Sequence, residues 1–447
     1  YLDTETITID PETAKDFDDA ISLRKDSNNK YHLIVHIADV SHYVQEQSAL
    51  DVEALKRSNS TYFPNKCIPM LPEELSNDIC SLKEGVIRLT VSIELVLSNQ
   101  GEMEDYKINK GYIKSQKRFT YSQAKNVIDK KMKSRHSAML ALMVELCFKL
   151  KKNRIKRGSV DLSLSETQLV LDEHGAPIKL NVIEYDIAHQ LVEEFMLKAN
   201  EIVATHLFKN VNHSIYRVHE APGESNLKTF FSLADSLGFQ AKGETDTENI
   251  QSIISLSKNT PFSKRLAIAF IRCMKLAIYS KENLGHFGLS LDNYCHFTSP
   301  IRRYSDLIIH RLLFKQQDLD LEYLSKKCSD SERNSFKAEC SVMDMKKIRY
   351  LEHLFEKEPT KIFSGIITKI KPFGLYFELD MMQFEGFFHI SAIFDDYFDL
   401  TNNTLRGRKS GKIYKVGDNI DVQIEFINLI ERKVTWSHYY LKKEKKS

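Results

Sequence analysis

The sequence predicts an α+β protein, a sheet surrounded by helices, that ends in an all-β module. Three observations lead there. β-branched runs of strand character open the chain, and helical periodicity dominates from about residue 137 to about residue 356. Short alternating segments punctuated by Gly then fill the remainder. The 447 residues, 42% hydrophobic and 28% charged, can bury two or three domain cores, which excludes global disorder and fibrous repeats.

In order along the chain, Thr6 to Asp10 and Tyr31 to Val40 read as strands flanking a carboxylate-rich turn, and Leu89 to Leu97 as a further strand. Helices are expected over Ser137 to Lys151, Ile183 to Phe208, Asn226 to Leu237 closed by Gly238, Ser263 to Ser280, Pro300 to Leu313 and Ser335 to Glu356. Glu356, Lys357 and Glu358 followed by Pro359 break that pattern and mark a domain boundary. Beyond it, Ile362 to Ile370, Leu375 to Leu379, Phe384 to His389, Asn419 to Ile427 and Lys433 to Ser437 make five short strands, which suit a small closed barrel of the OB type. The organisation read from the chain is therefore a first domain over 1–355, a barrel over 360–440 and a short basic tail over 441–447.

Lys and Arg (63) nearly balance Asp and Glu (61), so any affinity for a polyanion must come from local clustering. The apolar stretch from Ala138 to Leu150 is interrupted by Glu145 and is too short to cross a bilayer, and the N-terminus is too polar for a signal peptide. A soluble, cytoplasmic protein is expected. The seven cysteines show no CxxC spacing, which argues against a disulfide framework and a structural zinc site. A strand begins almost at Tyr1, so removal of an N-terminal region is also expected.

The segment TIDPETAKDFDDA sets Asp10, Asp16, Asp18 and Asp19 within ten residues, with only Lys15 beside them. Gathered carboxylates repel unless a cation holds them, and hard oxygen ligands at this density suit Mg²⁺. A calcium loop fails, because Ala20 and Ile21 fall where its oxygen ligand and its Gly should stand. Turn-capping, solvated aspartates and an aspartyl-nucleophile phosphatase are the alternatives at motif level. Far downstream, HFTSPIRRYSDLIIHRLL reads as a helix with Ser299 as N-cap and Pro300 at its first position, so that Arg302 and Arg303 oppose the helix dipole. Asp306 is spaced to pair with either arginine; alternatively one guanidinium faces a phosphate.

These segments resemble the RNase II / RNase R (RNB) family of exoribonucleases. TIDPETAKDFDDAISL with HIADVSHYV matches its catalytic signature, including the aspartate spacing, and TSPIRRYSDLIIHR matches its arginine segment. The resemblance implies that Asp10, Asp16 and Asp19 are Mg²⁺ ligands, that Asp18 completes the set at the position most tied to cleavage, and that Arg302 is catalytic. Arg303, Tyr304, Asp306, His310 and Arg311 would be structural. NSTYFPNKCIPMLPEEL resembles the loop whose Tyr stacks on the 3′ nucleotide, which makes that residue Tyr62. FKAEC resembles the helix bearing an active-site glutamate, Glu339, although Cys340 and Ser341 replace its usual charged pair. AHQLVEEFMLKAN is a further family segment that lacks the HExxH arrangement of a zinc site.

FSGIITKIKPFGLYFEL and GFFHIS resemble the S1-type OB domain, which implies an RNA face of Phe373, Tyr376, His389 and Arg432, with Asn428 where an Asp is usual. The implied activity is processive 3′-to-5′ hydrolysis of single-stranded RNA to nucleoside 5′-monophosphates with two Mg²⁺ ions. The implied protein is a monomer, preceded by cold-shock domains, that associates with an RNA helicase or the ribosome. A catalytically inactive RNA-binding member of the family is the alternative.

Overall fold

The computed structural model describes residues 1–438, apart from 163–165, 184, 212, 261, 316–318, 391–395 and 402–403. The basic tail lies outside the described residues. The opening domain is built on β1 (Ile7–Asp10), β2 (Asp19–Lys25) and β3 (Tyr31–Ala38). After α1 (Val40–Tyr43) and α2 (Ala49–Arg57) comes a small hairpin of β4 (Thr61–Phe63) and β5 (Lys66–Ile68). The long hairpin β6 (Ile87–Leu97) and β7 (Met103–Lys114) and the short β8 (Lys117–Thr120) complete a six-stranded sheet in the order β7-β6-β3-β2-β1-β8. Its neighbours are antiparallel except β1 and β8, which run parallel with Asp10 level with Thr120.

Tyr31, Leu33, Val35 and Ile37 are fully buried, because helices cover the sheet as well as its neighbouring strands. α3 (Tyr121–Ile128), α4 (Ser137–Arg157) and α5 (Ile187–Asn210) supply that cover; a hairpin of β9 (Glu166–Leu171) and β10 (Pro177–Ile183) separates the last two. β11 (Tyr216–Val218) precedes a satellite core of α6 (Glu224–Ser236), α7 (Asp246–Ser257) and α8 (Ser263–Cys273). β12 (Ile278–Ser280), α9 (Tyr304–Phe314) and the long α10 (Leu321–Lys357) finish the domain.

Several sequence expectations need correction. The turn between the first two expected strands contains β2, so the carboxylates sit in a short loop and not in a broad turn. The helix expected over Ser263 to Ser280 ends at Cys273, because Met274 turns extended and Ile278–Ser280 pairs with β11. The helix expected from Ile183 begins at Ile187, capped by Asp186, and Ile183 closes β10. α10 starts at Leu321, capped by Asp320, and not at Ser335.

The C-terminal module is a five-stranded antiparallel sheet of β13 (Ile362–Lys371), β14 (Gly374–Leu379), β15 (Glu385–His389), β19 (Asn419–Asn428) and β20 (Lys433–His438), in the order β15-β14-β13-β19-β20. Its edge strands β15 and β20 come together, so the sheet curls on itself in the OB manner. A three-stranded sheet of β16 (Phe398–Thr401), β17 (Thr404–Gly407) and β18 (Ile413–Lys415), absent from the sequence reading, is inserted between β15 and β19. Trp436 stands edge-on to Phe363 and Phe377 at the centre of this second core, which also takes Tyr350 and Leu351 from the end of α10.

Candidate active site

Asp10 ends β1, Asp19 begins β2, and the loop between them carries Asp16 and Asp18. The loop is clamped from both sides. Arg118 of β8, beside β1 through the parallel pairing, donates Nη2–H to the carbonyls of Pro11 (2.7 Å) and Glu12 (3.0 Å). Ser81 accepts from the Phe17 amide and donates to the Lys15 carbonyl. Asp10 and Asp18 are buried as a result.

The electrostatic consequence is large. Burial drives the Asp18 carboxyl well above its ordinary pKa, against the opposing pull of Arg302 and of the Ile301 amide. Burial also raises Asp19, and Asp10 is raised first by burial and then by the negative charge of Asp19. Asp10 Oδ2 is buried with no hydrogen-bond partner. The fold has therefore paid to hold several desolvated acids side by side, which a divalent cation would relieve.

The TSPIRR segment reaches this loop from far along the chain. Ile301 donates its backbone N–H to Asp18 Oδ1 at 2.8 Å, and Arg302 Nε stands 3.6 Å from Asp18 Oδ2. The expected helix start is corrected here: α9 begins at Tyr304, and 300–303 lie outside it. The cause is tertiary pairing, since Ser60 N–H donates to the Arg302 carbonyl (3.0 Å) and Tyr304 N–H to the Ser58 carbonyl (2.8 Å). Arg302 thus escapes the unfavourable end of the helix dipole and keeps its side chain 43% exposed beside the acids. Arg303 turns inward to Asp306 (2.7 Å), while Tyr304 and Arg311 both bind Asp51 (2.7 Å each) and His310 bonds the Phe297 carbonyl.

Tyr62, on the β4–β5 hairpin, donates its hydroxyl to Asp16 Oδ2 (3.0 Å), and its backbone N–H donates to Glu339 Oε1 of α10 (2.7 Å). Tyr62, Arg302, Arg303 and Glu339 line one cavity of about 230 Å³ together with Asn59 and Tyr279. Residues expected from the sequence at four separated places, the acidic loop, Tyr62, Arg302 and Glu339, therefore meet. Three features escaped that reading: Arg118, the Ile301 amide and Ser81. Each acts through a backbone group or through a pairing that sequence spacing does not encode. His189 and Glu194 are structural: His189 bonds its own helix cap Asp186 (2.7 Å), and Glu194 takes Arg154 in a fork at 2.6 and 2.9 Å.

Among the described residues no three His, Cys, Asp or Glu side chains form a ready cage for an ion. Asp18 Oδ1 and Asp16 Oδ2 are already spent on protein donors, and Asp10 Oδ2 is free. Such a set fits Mg²⁺, which takes one or two carboxylates at a time and completes its octahedron with water and phosphate oxygens.

On the C-terminal module, Phe373 is 49% exposed, and Phe387 links it to Tyr376 and His389 by ring contacts of 4.9–6.2 Å. Phe387, which the sequence reading passed over, is level with Tyr376 across β14 and β15. The Arg432 guanidinium is taken up by Ser341 Oγ of α10 (2.8 Å), so it ties the module to the first domain.

Residues 1–317 match the RNB domain model and 356–438 the S1 RNA binding domain model; most of α10 lies between the two. Ribonuclease R of Chlamydia pneumoniae is 42% identical over 435 residues, covering 96% of this chain and 64% of that protein. Ribonuclease R of Thermotoga maritima is 38% identical over 446 residues, covering 94% and 62%. In three dimensions the chain is similar to Mycoplasma genitalium RNase R in complex with ribose methylated single-stranded RNA, with a TM-score of 0.92 at 33% identity over 98% of this chain and 71% of that one. The chain spans less than two thirds of the length of these curated relatives. On the family models and this shared architecture, the chain belongs to the RNB family, with an S1 domain following its RNB domain.

Proposed function

We propose that this chain is a 3′-to-5′ exoribonuclease that hydrolyses single-stranded RNA processively to nucleoside 5′-monophosphates in the cytoplasm, as a monomer and with Mg²⁺. The observation that carries the reading is that the acidic loop meets both partners, Asp18 beside Arg302 and Asp16 bonded to Tyr62, and that Arg302 and Tyr62 line one cavity. Asp10, Asp16 and Asp19 would hold Mg²⁺, with Asp18 completing the set. Bound there, Mg²⁺ would supply Lewis acidity toward water and toward the phosphate charge.

The protein groups do the rest. Tyr62 stacks on the terminal base while its hydroxyl, held by Asp16, fixes the ring's direction. Arg302, exposed and not buried in an ion pair, turns its guanidinium onto the phosphate oxygens as charge gathers there. Asp18, aimed by the Ile301 amide, stands where a proton leaves the attacking water. Glu339 positions Tyr62 through its backbone. Phe373, Tyr376, Phe387 and His389 would stack and bind the strand upstream, with Arg432 at the junction. We place the functional division at 1–355 and 360–440. Association with an RNA helicase or the ribosome is a further part of the reading.

The test is product analysis on a labelled oligoribonucleotide and its DNA counterpart, with Mg²⁺ and with chelator. Mononucleotide release from the 3′ end of RNA alone, abolished by chelator, is expected. RNA binding without release would favour the inactive alternative, and length-independent phosphate release would favour a phosphatase.

A further inference from the structure

α8 buries Leu266, Phe270 and Cys273 against α6 and α7, which turns Lys264, Arg265 and Arg272 to its other side. That side meets the S1 domain. Lys264 Nζ stands 2.9 Å from Glu378 Oε1 of β14, and Arg272 Nη2 stands 3.7 Å from Glu385 Oε2 of β15. Arg265 packs on Gly417, where a Cβ would collide with its guanidinium. Neither ion pair is an aligned hydrogen bond, since Glu378 Oε1 has no aligned donor and 3.7 Å is beyond hydrogen-bond reach. At α10, by contrast, Tyr350 and Leu351 are buried in the S1 core. The seam at α8 is held by charge, and salt screens it.

The acids are out of place on a sheet that binds RNA. Side chains alternate along β14, so Leu375, Phe377 and Leu379 face the core while Tyr376 and Glu378 face outward. Across the ladder Tyr376 is level with Phe387, and Glu378 with Glu385. The outward face thus carries an aromatic row, with Lys369 over the Tyr376 ring, and an acid row about 7 Å farther along the strands. Like charges level with each other on neighbouring strands repel. Burial also raises the Asp380 carboxyl against the pull of Lys264, and Glu378 and Asp421 add to the rise, so Lys264 faces several acids at once. A strand stacked on the aromatic row would bring its phosphates to the same acids. The α8 cations answer both conflicts, because an ammonium or guanidinium takes a phosphate oxygen as it takes a carboxylate.

We propose that Glu378 and Glu385 stand in for RNA phosphates on Lys264 and Arg272, and that a strand stacked on Phe373, Tyr376 and Phe387 displaces the two acids and binds both cations. The contact between α8 and the S1 domain is then a latch that RNA opens. Loose, salt-screened pairs suit such an exchange, and the apolar seam at α10 keeps the S1 domain attached during it. The proposal rests on the exoribonuclease reading above and deepens it, since it adds two residues of the RNB domain to the path of the strand.

The experiment measures affinity for a labelled oligoadenylate by fluorescence anisotropy across a salt series, with chelator present and with folding of each variant checked by thermal melting. Glu378→Gln combined with Glu385→Gln frees both cations. Affinity should rise several-fold at low salt, and the slope of log K against log salt should steepen by about 0.7 for each cation freed. Lys264→Gln combined with Arg272→Gln should lower the affinity several-fold. A merely structural seam gives both variants the same sign, because each breaks the same pairs, so equal signs, or no change in either, overturn the exchange. A change in one variant alone overturns it as well: acids that only repel the strand would give the gain without the loss. Phe373→Ala should remove most of the gain, because the strand then no longer reaches the acid row. Binding that Phe373→Ala leaves unchanged overturns the reading of the aromatic face, and failure of the unaltered chain to release nucleotides once Mg²⁺ is restored overturns the exoribonuclease reading, each distinguishable from failure of the latch.

Discussion

At the scale of single residues, the proposed mechanism divides the work between the acids and the guanidinium, and each makes its own prediction. Asp18→Asn keeps the shape and the acceptor for the Ile301 amide and removes the charge. Mononucleotide release should fall by on the order of a thousandfold while RNA affinity, measured by filter binding, stays within a few fold. Arg302→Met should cost about 10²- to 10³-fold in turnover with a smaller effect on affinity, because in the proposed mechanism the guanidinium, which stands beside Asp18, acts on charge that develops late. Retained turnover in either variant, measured by single-turnover kinetics, would remove that residue from the mechanism. Spacing made the acids suggestive, because carboxylates crowded without counter-ions are costly and need a reason, whereas the choice of Arg302 over Arg303 rested on the resemblance to the RNB family. Arg118 was not legible: a lone arginine on a short strand carries no pattern, and only the parallel pairing of β1 with β8 places it over Pro11 and Glu12. Phe387 was hidden for the converse reason, since an aromatic in a strand reads as core until the facing side is known.

At the scale of elements, the errors of the sequence reading have two causes, the override of local pattern by tertiary pairing and, in α10, the lack of a continuous apolar stripe. The segment 300–303 has Pro and a following apolar stripe, yet its backbone bonds to Ser58 and Ser60 and cannot be helical. α10 was read at little more than half its length because its buried residues collect at its two ends, Leu321 to Ser329 and Lys346 to Leu351, which leaves no continuous apolar stripe. That distribution is what a connecting rod requires. Its middle presents Glu339 to Tyr62, and its far end sends Lys346 to the Gly175 carbonyl of the β9–β10 turn and Lys347 to the Gln383 carbonyl of the S1 domain. Burial lowers the Lys347 pKa, against the opposing pull of Asp344. Lys347→Met keeps the apolar stem and removes the donor. It should cost about 1 to 3 kcal/mol of docking free energy, read as faster proteolysis of the 357–361 connection, and it should leave release from very short RNA intact. Unchanged proteolysis would mean that the apolar contacts of Tyr350 and Leu351 hold the S1 domain alone.

At the scale of the whole molecule, acid response sets two groups of buried ionisable residues against each other. Burial lowers His36 and His286 to about 3 and His310 to about 4, so these rings are neutral in the fold and protonate on unfolding below about 6.5. Their contribution is complete above about pH 6.5 and is lost as the pH falls toward those folded values, with a slope of about 1.4 kcal/mol per pH unit for each ring. Asp10, Asp18 and Asp19 have folded values raised above the ordinary carboxylate range, so their contribution has the opposite sign. It is complete below about pH 4 and is lost as the pH rises through the raised values. Between about pH 5 and 6.5 the two slopes oppose, and with chelator the melting temperature should vary little across that interval. On the proposed reading, saturating Mg²⁺ would hold the acids ionised and stabilise the fold by about 2.7 kcal/mol at a hundred times its dissociation constant. The histidine slope then stands alone, so the Mg²⁺-induced rise in melting temperature should grow with pH, and His36→Gln should flatten the acid limb by one ring's share. Equal pH profiles with Mg²⁺ and with chelator would show that the acids and the cation are not linked, and the assignment of Asp10, Asp16 and Asp19 as metal ligands would fall with that result.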